Sequence, residues 1–142
     1  MTDTTADYTP VFVYGTLRPG WGNSRLWEGR GAAMHDGAAT VTGFALVSGG
    51  AFPFAIPAAD SVAVGALIYP DVDVYDEVLE ALDRLEGYPR FYDRIMVVVD
   101  TPAGRVKAWI YTPADHGRYD DMPPVPGNNW TAAHPERVEA RR

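Results

Sequence analysis

The stretch Val62-Ala63-Val64-Gly65-Ala66-Leu67-Ile68-Tyr69-Pro70-Asp71-Val72-Asp73-Val74-Tyr75-Asp76-Glu77-Val78-Leu79-Glu80-Ala81-Leu82-Asp83-Arg84-Leu85-Glu86-Gly87 changes its hydrophobic period once, from that of a strand to that of a helix. In the first half Val62, Val64, Ala66 and Ile68 alternate with Ala63, Gly65, Leu67 and Tyr69. Both sets are apolar, so the spacing predicts a strand covered on both faces and stopped by Pro70. In the second half Tyr75, Val78, Leu79, Leu82 and Leu85 recur at helical spacing. Asp73 is the expected N-cap, Asp76 and Glu77 suit the positive end of the helix, and Gly87 with Pro89 ends it.

Outward from this pair, the remaining elements read as strands. Val11-Phe12-Val13-Tyr14 is short, β-branched and aromatic, and is cut off by Gly15. Gly15 to Gly50 reads as loop-rich, with a turn of helix at Ser24 to Trp27. A β pattern returns over Thr40 to Val47, with a bulge expected at Gly43. Two prolines exclude a central strand at Phe52-Pro53-Phe54 and Ile56-Pro57, leaving an edge or a loop against the core. Phe91 to Asp100 and Arg105 to Thr112 read as a hairpin of the longer-loop kind over Thr101-Pro102-Ala103-Gly104. In its second strand Val106, Ala108 and Ile110 face one way, and Lys107, Trp109 and Tyr111 the other. From His116 onward the chain is rich in Pro and Asn and then charged, which suits a lid, a tail or both. Several strands around one strong helix predict an α+β fold, the sheet curled or closed into a barrel.

Composition narrows the function. The 142 residues fit a single domain over 1–142, with tails expected at 1–9 and about 131–142. Hydrophobic residues at 46% and charged residues at 22% are those of a folded chain. A net charge of −7 argues against nucleic acid or an anionic membrane as the main partner, since both need a basic footprint. It leaves a small anionic ligand open, because local donors bind that. With no cysteine, thiolate metal sites, iron–sulfur clusters, disulfides and cysteine nucleophiles are excluded. No apolar run reaches the ~18 residues of a membrane span. The polar, acidic Met1–Pro10 has no signal-peptide pattern, so a cytoplasmic location is expected. Oligomeric state has no signature here.

Two places bend the local rules. In Tyr14-Gly15-Thr16-Leu17-Arg18-Pro19-Gly20 a strand ends in glycine and turns at once, which frees successive backbone N–H groups. Such a run of donors suits a carboxylate or a developing oxyanion, with Thr16 adding a hydroxyl and Arg18 a charge. It also suits an ordinary turn. The loop lacks the Gly-Lys-Ser/Thr ending of a phosphate-binding loop. The second place is Glu86, four residues after Leu82 and seven after Leu79, on the apolar stripe of the helix. Burial and the negative end of the helix dipole should both raise its pKa, and a carboxyl poised nearer neutrality is what a proton shuttle needs. The competing reading has Glu86 at a frayed helix end, reaching water or pairing with Arg90 or Arg94. Weaker candidates are Tyr92 and Tyr111, each offering a hydroxyl to a cavity or packing in the core. Trp21, Trp27, Trp109 and Trp130 read as core or pocket walls. His35, His116 and His134 match no metal-ligand spacing, and Ser24, Ser48 and Ser61 stand in no nucleophile-elbow context.

Taken in order, Val11-Phe12-Val13-Tyr14-Gly15-Thr16-Leu17-Arg18, the Val64–Tyr69 strand, Leu82-Asp83-Arg84-Leu85-Glu86-Gly87-Tyr88-Pro89 and Phe91-Tyr92-Asp93-Arg94 resemble the γ-glutamylcyclotransferase-like family, from about Val11 to Thr112. The resemblance implies a small mixed β-barrel with flanking helices. It also implies conversion of a γ-glutamyl amine or γ-glutamyl amino acid to 5-oxoproline plus a free amine, with neither metal nor cofactor. On that reading Glu86 is the acid/base, Tyr14, Gly15, Thr16 and Leu17 form the substrate loop, and Arg18, Tyr92 and Tyr119 are further substrate contacts. Two alternatives stand beside it. One is a non-catalytic small-molecule-binding module on the same fold. The other is a hydrolase pairing Glu86 with Asp83, although glycosidases place their two carboxylates on separate elements.

Overall fold

The computed structural model describes residues 8–50, 52–115, 119 and 121–133. The two expected tails fall largely, and His116 and His134 wholly, outside the described residues. Five strands form a closed barrel in the order β1-β3-β2-β4-β5: β1 Val11–Val13, β2 Gly31–Ser48, β3 Pro53–Pro70, β4 Tyr92–Thr101 and β5 Gly104–Pro113. All neighbours are antiparallel except β1 and β5, which are parallel and meet at Val11 and Trp109. The barrel is therefore mixed, as expected.

The β2–β3 hairpin makes most of the wall. It bends at two bulges, one between Met34 and Ala39 and one between Thr42 and Phe44. Extra residues on one strand of a ladder sharpen its twist, which a long hairpin needs to wrap a small barrel. Gly43 supplies the second bulge with φ +98°, a conformation an L side chain resists. Strand β2 starts at Gly31, well before the Thr40 expected from pattern. Ala32, Ala33, His35, Asp36 and Gly37 hide it, because none favours a strand. The Pro53–Pro57 segment is not a loop but the start of β3, pairing with β2 from Ser48↔Pro53 to Phe44↔Pro57. Paired on that side alone, it keeps its prolines where no ladder N–H is missed. The β4–β5 hairpin turns in two residues, Pro102 and Ala103, since Thr101 pairs directly with Gly104.

Alternation along the strands separates two cores. Phe12, Val41, Leu46, Leu67, Val99, Ala108 and Ile110 fill the barrel interior. Val11, Val13, Ala66, Ile68 and Tyr111 face outward, where Val78 and Leu82 of the helix α1 (Tyr75–Glu86) cover them. The two-faced burial of the Val64–Tyr69 strand follows from lying between barrel and helix. Each fully buried large apolar side chain here contributes about 1.5–3 kcal/mol. Asp73 does not cap α1: a 3₁₀ turn, Val72–Val74, precedes it, and the N-cap is Val74, without a side-chain hydrogen bond. Gly87 does end the helix, at φ 72°. Leu85, placed on the buried stripe by spacing, is instead 42% exposed, because the last turn overhangs a pocket. The chain after β5 forms neither lid nor loose tail over residues 121–133. It runs beside β2, with Ser48 N–H bonded to Pro123 and Val125 N–H to Leu46. It then sinks Trp130, at the start of the short helix α2 (Trp130–Ala133), fully buried into the barrel interior against Trp21. Among the described residues no helix is long and apolar enough to cross a membrane.

Candidate active site

Beyond β1 the chain leaves the sheet at Tyr14 and folds tightly, Arg18 N–H returning to Gly15 O at 3.0 Å. Asn23 holds the turn from outside: its backbone N–H reaches Thr16 O at 3.0 Å and its side-chain amide donates to Thr16 Oγ1 at 2.8 Å. Trp27 Nε1 donates to Leu17 O at 2.8 Å. The carbonyls of the turn are thus engaged, whereas the N–H groups of Gly15, Thr16 and Leu17 make no hydrogen bond among the described residues. Pro53 packs on Gly15 so closely that a Cβ there would stand 2.7 Å from Pro53 Cδ, which explains the glycine.

A pocket of about 190 Å³ opens here, bordered by Tyr14, Gly15, Thr16, Leu17 and Asn23 and by Phe52, Pro53, Leu85, Glu86, Tyr92 and Tyr111. That is smaller than the ~300–1,000 Å³ clefts that enclose drug-sized ligands, and it suits a group the size of an amino acid. Glu86 is the one charged side chain in the lining. Burial raises its pKa from 4.5 to about 7. Burial raises the pKa of Tyr14, Tyr92 and Tyr111, with the Glu86 charge a smaller contribution in each, and all three phenols line the pocket with the carboxyl.

The hydroxyls of those phenols differ in their partners. Tyr14 donates to Tyr111 O at 2.7 Å, and Tyr111 donates to Asp83 Oδ1 at 2.6 Å. Tyr92 has no hydroxyl partner among the described residues and borders the pocket. Arg94 does not pair with Glu86: its Nε lies 2.9 Å from Asp83 Oδ1, and its guanidinium stacks on the rings of Tyr88 and Trp109. Asp83 is therefore engaged twice. That removes the pairing of Asp83 with Glu86 as two free carboxylates.

Tyr14, Gly15, Thr16, Leu17, Glu86 and Tyr92, singled out in the sequence, meet in this one pocket. Arg18 does not. It is 2% exposed, its Nε donating to Asp36 Oδ1 and its Nη1 to Asn129 Oδ1, each at 2.8 Å. Arg18, expected as a substrate contact, thus lies outside the lining, aimed by the turn at the β2 bulge and the segment before α2. Tyr119 is likewise outside the lining and stacks on Phe54, ring centroids 4.3 Å apart. Asn23 escaped the sequence reading, because an asparagine between Gly22 and Ser24 reads as ordinary loop. No cluster of three or more His, Asp or Glu side chains suited to a metal occurs among the described residues.

Residues 11–132 match the family described as "Gamma-glutamyl cyclotransferase, AIG2-like". The chain belongs to this family. Its fold is that of an AIG2-like protein from Mus musculus, with a TM-score of 0.70 at 23% identity over 91% of this chain and 92% of that one. YkqA from Bacillus subtilis matches with a TM-score of 0.69 at 21% identity, covering 95% of this chain and 43% of that one. An uncharacterised Pyrococcus horikoshii protein gives 0.66 at 19% identity, over 94% and 99%. No curated protein matches the sequence. In this chain the pocket brings together the two motifs that bent the local rules, the glycine turn after β1 and the carboxyl at the end of α1.

Proposed function

We propose that this protein is a γ-glutamyl cyclotransferase that releases a free amine and 5-oxoproline from a γ-glutamyl amine or γ-glutamyl amino acid, with Glu86 as acid and base. The observation that carries the reading is the half-buried Glu86 carboxyl beside the Gly15–Leu17 turn, with its pKa raised to about 7. The substrate's own α-amine is the nucleophile, so the chain needs no serine or cysteine for attack. As an ammonium that amine is inert. Ionised Glu86 takes its proton, the nitrogen attacks the γ-carbonyl carbon, and a five-membered ring closes. Protonated Glu86 then gives that proton to the departing nitrogen as the old amide bond breaks, and the ring nitrogen loses its second hydrogen to the released amine, which leaves as an ammonium. A carboxyl with pKa near neutrality serves both directions, and such help is worth roughly 10²–10⁴-fold. Holding the glutamyl chain folded adds orientation. The unused N–H groups of Gly15, Thr16 and Leu17 receive the α-carboxylate or the developing oxyanion, and Tyr92 offers a further hydroxyl.

The test is 5-oxoproline release from a panel of γ-glutamyl amides, read by mass spectrometry for wild type and Glu86→Gln. Glu86→Gln should keep the fold and ligand binding while turnover falls at least 100-fold, in line with the roughly 10²–10⁴-fold of lost acid–base help. Equal release by the variant defeats the mechanism. Binding without release from any member by wild type leaves a small-molecule-binding module instead.

A further inference from the structure

If the glutamyl part reaches the turn donors and Glu86, whatever is attached to its γ-carbonyl must project toward the open side of the pocket. Two lining residues carry large exposed apolar surface, Phe52 at 47% and Leu85 at 42%. They mark the mouth, with Pro53 beside them. Phe52 is held rather than loose. It sits at the tip of the β2–β3 hairpin, where Gly49 N–H returns to Phe52 O at 2.9 Å. Its ring meets Phe54 edge-on at 5.4 Å, and Phe54 stacks on Tyr92 and Tyr119. Gly49 packs against the Phe54 ring, where a Cβ would come within 2.5 Å of Cε2, so the tip is fitted around this aromatic group. Of the exposed large apolar side chains among the described residues, only Phe52 and Leu85 line the pocket, and of these two Phe52 has its ring against another aromatic.

Charge points the same way. Among the described residues no lysine or arginine lines the pocket, and Arg18 and Arg94 are engaged with Asp36 and Asp83. Among those described residues a carboxylate on the leaving group would meet no cation and would face Glu86.

Resting on the cyclotransferase reading above, we propose that the mouth is a subsite for an aromatic, uncharged leaving amine, with Phe52 as its specificity-determining residue. The ring of the departing amine lies against Phe52 and the apolar lip formed with Pro53 and Leu85. An aromatic contact of this kind beyond simple burial gives roughly a 3- to 10-fold preference.

Three substrates separate the possibilities: the γ-glutamyl derivatives of ethylamine, phenethylamine and phenylalanine, the last two differing by one carboxylate. Wild type should show the highest kcat/KM for the phenethylamine derivative, by roughly 3- to 10-fold over each of the others. Phe52→Ala should collapse the phenethylamine-to-ethylamine ratio toward one, chiefly through KM. Phe52→Leu, which keeps an apolar side chain at an exposed position, should lower it part of the way. No phenethylamine preference in wild type, or a ratio that survives both substitutions, overturns the subsite while leaving the cyclotransferase reading standing. Release of 5-oxoproline from none of these or the wider panel removes both.

Discussion

Glu86 stands at an energetic disadvantage in the folded chain, and the sign of its effect is open to measurement. Its pKa is 4.5 when solvated and about 7 in place. Between those values the folded state holds a proton that the unfolded state has lost, so stability falls as pH rises through that window and stays lower above it. The full difference corresponds to about 3 kcal/mol. Glu86→Gln carries no charge at any pH. In urea denaturation it should therefore match wild type at pH 4 and exceed it by about 1–3 kcal/mol at pH 8. Equal midpoints at pH 8 would mean that the carboxyl is solvated. The same proton governs the proposed reaction, in which free enzyme needs Glu86 ionised: log kcat/KM should climb with unit slope at low pH and level off near pH 7. A protein keeping a destabilising charge at a pocket wall is consistent with selection on chemistry rather than on stability.

At the scale of elements, the carboxyl is only as well placed as the last turn of α1. That turn is held from two sides. Tyr88 N–H bonds to Asp83 O at 2.9 Å across Gly87, and the Asp83 side chain accepts the Tyr111 hydroxyl from β5 and forms an ion pair with Arg94 of β4. The Arg94 guanidinium lies over both the Tyr88 and Trp109 rings, with its carbon 4.8 and 4.6 Å from their centroids. A planar, delocalised cation fits that place, and an ammonium does not. Arg94→Lys should thus cost about 1–2 kcal/mol of stability and lower kcat more than KM, because substrate still binds while Glu86 loses its alignment. Unchanged kcat would show that α1 holds its end without this pair. The elements also show how much could be read in advance. The β1 strand, its glycine turn, the α1 stripe with its stop at Gly87 and the β4–β5 pairing all announce themselves through local pattern, and Glu86 emerged because it interrupts one. The first half of β2 was hidden, and the Pro53–Pro57 start of β3 was legible only as an edge or a loop. Bulges break the period of the one, prolines disguise the other, and only the closed sheet makes either extended. The partners of Arg18 were hidden for a related reason: proximity in sequence to the turn says nothing of the Asp36 and Asn129 that its side chain finds.

At the scale of the whole molecule, the barrel is closed by strands yet filled by a residue from outside them. Trp130 is fully buried in the barrel core, its ring 6.0 Å from Trp21. The segment before it is tied to β2 through the Val47↔Pro124 bridge and through Asn128 Oδ1, which accepts Leu46 N–H at 3.0 Å. It is tied to the turn after β1 by the Arg18 contact with Asn129. A large indole from a late segment thus completes the packing of the barrel interior, beside Phe12, Leu46 and Leu67. Since the same segment braces the turn through Arg18, stability and site geometry share one support. Trp130→Ala should lower unfolding free energy by about 3–5 kcal/mol, the cost of deleting a buried large aromatic, and Trp130→Phe by clearly less. Urea midpoints for both variants measure this. A midpoint for Trp130→Ala equal to wild type would show that the barrel is stable without its plug, and the five strands alone would then account for the fold.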